Sequence, residues 1–307
     1  RNQILDVPMD QTTGYTKATM NSGKVRNRGI ELQLDGTPVK TKNFTWNSTF
    51  TWAKNYNKVL SLAAGLTDGQ TIAYTGGTNC ALIAKVGGSI GDIYGYKLKR
   101  APDGQVVWKD GITARTTEFE YVGNAYPAWK AGFSNEFSYK NFRVSILFDG
   151  QWGGIVYSQT HHKMTEHGTL KHTLKYRENP NFEVVGEGVM LDERGQYVPN
   201  NVPISVSKYY ADYWRRANVE TNSFDASFLK LREARIEYTI PSAGLNKIGI
   251  ERLTLALYGR NLAMWTKDFP VYDPEVATLN NGTIVPGSEM GQLPSTRTMG
   301  FNLTLKF

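Results

Sequence analysis

Met299-Gly300-Phe301-Asn302-Leu303-Thr304-Leu305-Lys306-Phe307 sets Met299, Phe301, Leu303, Leu305 and Phe307 against Gly300, Asn302, Thr304 and Lys306 in strict alternation. Successive side chains of a strand point to opposite faces, so this segment predicts a strand with one apolar and one polar side. Upstream, Phe142, Val144, Ile146 and Phe148 alternate with Arg143, Ser145 and Asp149, broken only by Leu147. Before them Trp129, Ala131, Phe133, Asn135, Phe137 and Tyr139 alternate with Lys130, Gly132, Ser134, Glu136 and Ser138, and Tyr139-Lys140-Asn141 reads as a tight hairpin turn. Near the start, Ile30, Leu32 and Leu34 are followed by Phe44, Trp46, Ser48, Phe50 and Trp52 across a short polar link, 37–43. From Phe228 to Ile240, Ala234, Ile236, Tyr238 and Ile240 face away from Glu233, Arg235, Glu237 and Thr239; Leu253, Leu255 and Leu257 precede a turn-like Gly259-Arg260-Asn261. Roughly eight or nine strands are expected, each near the 9–11 residues of a tilted bilayer crossing.

Composition narrows the class. Of 307 residues 40% are hydrophobic and 12% aromatic, which makes an ordered chain rich in residues that suit sheets and membrane interfaces. No run approaches the roughly 18 apolar residues of a spanning helix; Cys80 to Ala84 is far too short. The mean hydropathy of -0.42 is compatible with a barrel whose strands turn every second side chain to a wet lumen. A single cysteine excludes a disulfide scaffold. The net charge of +7 is scattered among acids and aromatics, not clustered as a nucleic-acid stripe requires. Arg1 to Asp10 carries no basic stretch leading into an apolar one, as a signal peptide would. The long, non-alternating stretches 157–223 and 263–295 are expected to be loops, contrasting with the brief links at 37–43 and 139–141; outer-membrane barrels show this asymmetry. No helices are expected. Periodicity alone leaves a soluble antiparallel sandwich, such as a carbohydrate-binding module, open as the alternative.

Several constellations invite chemistry. Gly87-Gly88-Ser89-Ile90-Gly91 matches G-x-S-x-G, but a nucleophile elbow needs a helix after it, and Asp92-Ile93-Tyr94-Gly95-Tyr96 follows instead. His161, His162, His167 and His172 crowd one stretch without a zinc-binding spacing. Asp268, Asp273 and Glu275, around Pro270 and Pro274, are weak calcium candidates read first as turn residues. Asp103-Gly104 and Asn281-Gly282 are hairpin-turn signals. Tyr209, Tyr210, Tyr213 and Trp214 would suit stacking on sugar rings, or equally the anchoring of a loop. No enzyme active site and no cofactor motif emerges.

Taken in order, the segments resemble the later part of the SusC/RagA-type TonB-dependent outer-membrane transporters. Asn21-Ser22-Gly23-Lys24-Val25-Arg26-Asn27-Arg28-Gly29-Ile30-Glu31-Leu32 is similar to the family's N-x-G-x-V-x-N-x-G-I/V-E-L segment. Phe44-Thr45-Trp46 and Ala53-Lys54-Asn55-Tyr56-Asn57-Lys58-Val59 resemble its F-x-W strand and the A-K-N-x-N-x-V that ends it. Val86 to Tyr96 resembles its G-x-x-I-G-x-x-Y/F-G-Y segment, which accounts for the G-x-S-x-G match without catalysis. Gly123-Asn124-Ala125-Tyr126-Pro127, Phe137-Ser138-Tyr139-Lys140-Asn141-Phe142, Ser227-Phe228-Leu229-Lys230-Leu231-Arg232, Tyr238-Thr239-Ile240-Pro241, Gly259-Arg260-Asn261-Leu262 and Asp273-Pro274-Glu275 follow in the family's order.

The resemblance implies an all-β, transmembrane antiparallel barrel of about 22 strands with a plugged lumen, of which 1–307 holds the later strands. The plug and the TonB-contacting segment would lie outside this chain, and a further chain or segment would complete the barrel. It also implies import of glycan or peptide fragments across the outer membrane, with a SusD-like lipoprotein as lid and outer-membrane lipid around the strands. Phe301, Leu303, Leu305 and Phe307 are then expected to face lipid and, with the terminal aromatic, to serve as the assembly signal. Glu233, Arg235 and Glu237 are expected in the lumen, and 157–223 and 263–295 outside the cell, meeting lid and substrate.

Overall fold

The computed structural model describes residues 3–8, 14, 17–63, 69–75, 78–241, 249–275, 277–280 and 283–307. Its main element is an eight-stranded antiparallel sheet in which each strand pairs with the next in sequence: β1 (Gln3–Pro8), β2 (Lys17–Lys40), β3 (Phe44–Leu62), β4 (Trp129–Tyr139), β5 (Phe142–Trp152), β6 (Phe228–Ile240), β7 (Arg252–Thr266) and β8 (Thr298–Lys306). The sheet is open, with β1 and β8 at its two edges. Lys140, at φ 51°, closes the two-residue turn between β4 and β5. Neighbouring turns are laced together, since Lys140 N donates to Asn43 O and Thr239 N to Asn141 O, both at 2.9 Å. Of the expected links and turns, 242–248 and the Asn281-Gly282 turn lie outside the described residues, as do Arg1, Asn2, Met9 and Asp10.

Two boundaries and one register differ from the sequence reading, each at an irregularity of the ladder. β2 runs on to Lys40, absorbing Thr37 and Pro38 in an irregularity between Gly36 and Val39; Pro38 has no N–H for the ladder, and a bulge accommodates that. Gly259-Arg260-Asn261 is not a turn. Asn261 has φ 52°, the ladder is irregular at that point, and β7 continues to Thr266. On β6 one extra residue, Arg232, sits between Leu231 and Glu233, so Leu229 and Leu231 share a face with Ala234 and Ile236.

The cross-strand register sorts the side chains into two faces. One row reads Val39, Trp46, Phe137, Val144, Ile236, Leu257 and Phe301. The row behind it, on the opposite face, reads Asn47, Glu136, Ser145, Arg235 and Tyr258. Phe301 is 78% exposed and Leu257 63%, so among the described residues nothing packs on them, and Leu303, Leu305 and Phe307 of the last segment are bare too. Aromatics mark both ends of this face: Phe44, Tyr139, Phe142 and Tyr238 near the short turns, Trp52, Trp129, Trp152 and Trp265 near the long connections. Tyr139 to Trp129 and Phe142 to Trp152 are ten-residue steps, roughly 33 Å along a strand. At the usual barrel tilt this is an apolar band of roughly 25 Å, the height found in outer-membrane barrels. One polar group, Asn135, lies midway on the apolar face and is satisfied there by the Trp46 indole N–H at 2.9 Å.

On the polar face the strand charges pair. Arg235 Nε donates to Glu237 at 2.8 Å, Arg143 lies 3.6 Å from the same carboxylate, and Arg260 Nε meets Glu233 at 2.9 Å. Ile146, at mid-band on the apolar face, is one residue from Ser145 on the polar face. Ile146→Arg should therefore cost about 2–4 kcal/mol and deplete assembled protein, whereas Ser145→Arg should assemble normally. Equal assembly of the two variants, read as the heat-resistant band in detergent, would refute the assignment of faces.

The long connections are three: 63–128, 153–227 and 267–297. The first was not anticipated, and the other two begin and end a few residues from the expected 157–223 and 263–295. All leave the sheet at the same end, because each follows a strand running in the same direction. They are folded, not loose. Gln70–Thr75, Cys80–Ala84, Asp92–Gly95 and Glu120–Asn124 form one antiparallel sheet, and Ile155–Ser158 pairs with both Ser223–Asp225 and Ser288–Glu289 in another. Contrary to expectation there are helices, α1 (Gln159–Glu166) and α2 (Val206–Tyr213), each capped by a serine, Ser158 and Ser205. The connections share a core: Cys80, Leu82 and Ile93 from the first pack with Tyr157 and Val219 from the second and Val285 from the third. They form a single cap over one end of the sheet.

Candidate functional site beneath the cap

Where cap and polar wall meet, β6 supplies two cations. Lys230, 3% exposed, donates from Nζ to both Asp273 oxygens at 2.7 Å and to Glu275 Oε2 at 2.8 Å. Arg232, displaced by the bulge, forks between Asp149 of β5, at 3.0 Å through Nη2, and Glu275 at 2.5 Å. The bulge has a consequence: it brings a second cation to the level of Lys230 without turning Glu233, Arg235 or Glu237 to the apolar side. Burial alone would raise the Asp273 and Glu275 carboxyls, but the bonds from Lys230, joined at Glu275 by Arg232, outweigh it and hold both below the usual carboxylate range. Beside this network a cavity of about 460 Å³ opens on the wall, lined by Gln33, Thr51, Lys130, Gly132, Asp149 and Glu275. It offers donors and acceptors of both signs, a surface suited to a polar solute or a polar protein segment.

The residues singled out from sequence fall elsewhere. Asp273 and Glu275 do not surround a place for calcium, since Lys230 occupies it, and Asp268 stands apart, its carboxyl raised by burial and by nearby Asp225. Among the described residues no group of three or more His, Cys, Asp or Glu could hold a metal. Tyr209, Tyr210, Tyr213 and Trp214 lie on α2 and at its end, stacked on one another and on Trp108. Tyr209 and Tyr210 are buried with Val184 and Ile204, so these rings are the cap's second core and not a free stacking platform. His161 and His162 lie on α1 and are buried; Nδ1 of His161 bonds to Asn222 at 2.9 Å, and burial lowers its pKa to about 4, so it is neutral at neutral pH. Lys230 and Arg232 were visible only as part of Leu229-Lys230-Leu231-Arg232; two cations separated by one residue on an otherwise alternating strand were the available signal.

The comparisons agree with this architecture. Over 99% of its length the chain is 29% identical to TonB-dependent receptor P26 of Formosa agariphila, covering 31% of that protein. It is 24% identical to TonB-dependent receptor P3 of the same organism over 98% of the chain and 30% of that protein. Against TonB-dependent receptor SusC of Bacteroides thetaiotaomicron the match is 26% over 48% of the chain and 16% of SusC. The RagAB peptide transporter superposes with a TM-score of 0.67 at 20% identity, covering 99% of this chain and 32% of that one. Over nearly its whole length the chain is similar to TonB-dependent receptors. No family model matches it. The chain spans about a third of the length of the two Formosa receptors.

The motifs that resemble the SusC/RagA-type segments now have physical roles. The Gly87–Asp92 turn docks on the end of β3: Val59 N donates to Gly88 O at 2.8 Å, Gly87 N to Val59 O at 2.9 Å, and Ile90 N to Asn57 Oδ1 at 2.9 Å. Ser89, the residue of the G-x-S-x-G match, donates to Asn57 at 3.0 Å and accepts from Gly91 N at 3.1 Å. Its hydroxyl is a structural tie. A Cβ at Gly88 would meet the Asp92 carboxylate at 2.5 Å and push it from its bond with Ser89 N, so glycine suits this turn. Ser227, which opens the Phe228-Leu229-Lys230 stretch, receives Gly153 N at 2.7 Å and so closes the neck of the 153–227 connection.

Proposed function

We propose that this chain supplies consecutive strands and most of one external face of a plugged outer-membrane barrel of about 22 strands, which imports oligomeric nutrients, glycan or peptide fragments, by TonB-dependent transport. The observation that carries this reading is the two-faced sheet: a bare apolar band roughly 25 Å high on one side, a self-paired polar wall on the other, and a folded cap at one end only. A soluble sandwich would bury its apolar face and expose its polar one, so the bare face weighs against that alternative. Open edges at β1 and β8 do not persist in lipid, which calls for strands from outside this chain to close the barrel. The plug and the TonB-contacting segment belong to that part. The cap faces outward and meets a SusD-like lipoprotein lid and the substrate; the charged wall below it faces the translocated solute or the plug. Phe301, Leu303, Leu305 and Phe307 act as the signal for barrel assembly.

A deletion tests the assignment. The ends of the 153–227 connection already meet, since Ala226 N donates to Gly154 O at 3.0 Å and Ile155 pairs with Asp225. Joining Gly154 to Ala226 by a short turn in the intact transporter should leave a barrel that inserts and resists heat in detergent. Lid co-purification and uptake should be lost, because the cap's shared core loses Tyr157 and Val219. Undiminished uptake would sink the proposal.

A further inference from the structure

On the outer side of the β2–β3 hairpin the apolar band ends abruptly. Phe44, Trp46, Phe50 and Trp52 of β3 share one face, and the next three residues of that face are Lys54, Tyr56 and Lys58. On β2 the same face passes from Leu34, Leu32 and Ile30 to Arg28 and Arg26, paired with Tyr56 and Lys58. No acid stands on this face between residues 24 and 34 or 44 and 58, and among the described residues none of the four cations is paired with a carboxylate. The hairpin's other side is committed to the cap: Asn57 accepts from Ser89 and Ile90 and donates to Asn27 at 2.8 Å, and Val59 is buried against the Gly87–Asp92 turn. The hairpin therefore cannot rotate its cations inward. Because β4 begins only at Trp129, its pairing with β3 ends at Ala53, and β1 pairs with β2 only from Gly23 outward.

Resting on the reading of the sheet as a membrane-spanning wall, we propose that Arg26, Arg28, Lys54 and Lys58 bind the phosphate groups of membrane lipids in the leaflet on the cap side. Their spacing matches a phosphate-binding grid, with about 7 Å between alternate residues of one strand and about 5 Å between cross-strand partners, so that an arginine fork and an ammonium converge on one phosphate. Lys54 Nζ lies 4.8 Å from the centre of the exposed Tyr56 ring, and a tyrosine among cations directly above a row of tryptophans is what the interface between acyl chains and headgroups favours. The direction also selects lipid over the lid: these side chains point laterally, continuous with the apolar band, whereas the cap occupies the opposite face.

The test uses the intact transporter and the fourfold variant Arg26→Gln, Arg28→Gln, Lys54→Gln, Lys58→Gln, with retention of phosphatidic acid and of phosphatidylcholine measured by native mass spectrometry. The variant should hold phosphatidic acid at least about tenfold more weakly and phosphatidylcholine equally well. Unchanged phosphatidic acid retention overturns the proposal, as does loss of the lid with lipid retention intact, or inorganic phosphate competing as well as the lipid does. If the fourfold variant does not assemble, the pairs Arg26→Gln, Arg28→Gln and Lys54→Gln, Lys58→Gln replace it, and unaltered lipid retention in both is equally decisive against. Failure of the membrane reading itself would look different, as release of the wild-type protein from membranes without detergent.

Discussion

Lys230→Met should release the 267–297 connection from the sheet while the strands stay paired. The ammonium is buried and is the common donor to Asp273, also buried, and to Glu275. Methionine matches its length and leaves buried Asp273 without its cation and Glu275 with Arg232 alone, and breaking a buried pair such as Lys230–Asp273 costs about 3–5 kcal/mol. The loss should localise to the cap, because no ladder bond of β6 is touched, and Arg232 still spans Asp149 and Glu275. The pH dependence gives a second reading. In the wild type the two carboxyls titrate below their ordinary values, so their contribution is complete above those values and fades as the pH falls through the lowered folded ones. In the variant the sign should reverse at Asp273: a buried carboxylate that has lost its cation favours protonation, so acidification should partly restore docking. Protease protection of 267–297, followed against pH alongside the heat resistance of the barrel, checks both. Equal protection of variant and wild type at neutral pH would show that the ion cluster does not hold the cap.

What the sequence disclosed and what it hid divide along a physical line. A strand with one wet and one greasy side writes its period of two into consecutive residues, so 129–152 and 299–307 were readable, and with them the face of Glu233, Arg235 and Glu237. Bulges defeat that reading because a single extra residue leaves no periodic trace: the bulge at Arg232 was invisible, and Asn261 looked like the end of a strand when its left-handed backbone only interrupts one. The cap was hidden for a different reason. Its core joins Cys80, Tyr157, Val219 and Val285 from four distant stretches, and the apolar run Cys80 to Ala84, seen as too short for a membrane helix, is a strand buried on both sides. Tyr209, Tyr210 and Tyr213 could have been recognised as core. With Val206 they follow helical spacing behind the serine cap at Ser205, and an aromatic stripe at that spacing packs inward.

Glu289→Gln should unfasten the cap from within, where the chain keeps a buried carboxylate that no cation among the described residues pairs with. Glu289 accepts from Ser158 Oγ at 2.5 Å, Thr160 Oγ1 at 2.6 Å, Tyr272 O–H at 2.6 Å, Gly291 N at 2.6 Å and Thr160 N at 3.2 Å. Burial would raise its pKa, yet these donors outweigh burial and hold it below the usual value, so the charge is present at neutral pH and balanced by dipoles alone. Glutamine has the same shape but brings an NH₂ group against backbone donors that cannot accept from it. At least one N–H must then go unpaired, at about 1–3 kcal/mol, on top of the lost charge-assisted bonds. The position magnifies the effect. Ser158 is also the cap of α1, receiving His161 N at 2.9 Å, and Tyr157-Ser158 pairs with Ser288-Glu289, so a single carboxylate joins the 153–227 and 267–297 connections and the start of a helix. Hydrogen exchange should accelerate in α1 and in 288–291 together, with β4 and β5 unchanged, and uptake should fall if the cap is the surface that receives the lid. Exchange that quickens at 288–291 but leaves α1 protected would mean that the two connections are held by their shared apolar core alone, and that Glu289 is a local cap and not the fastening between them.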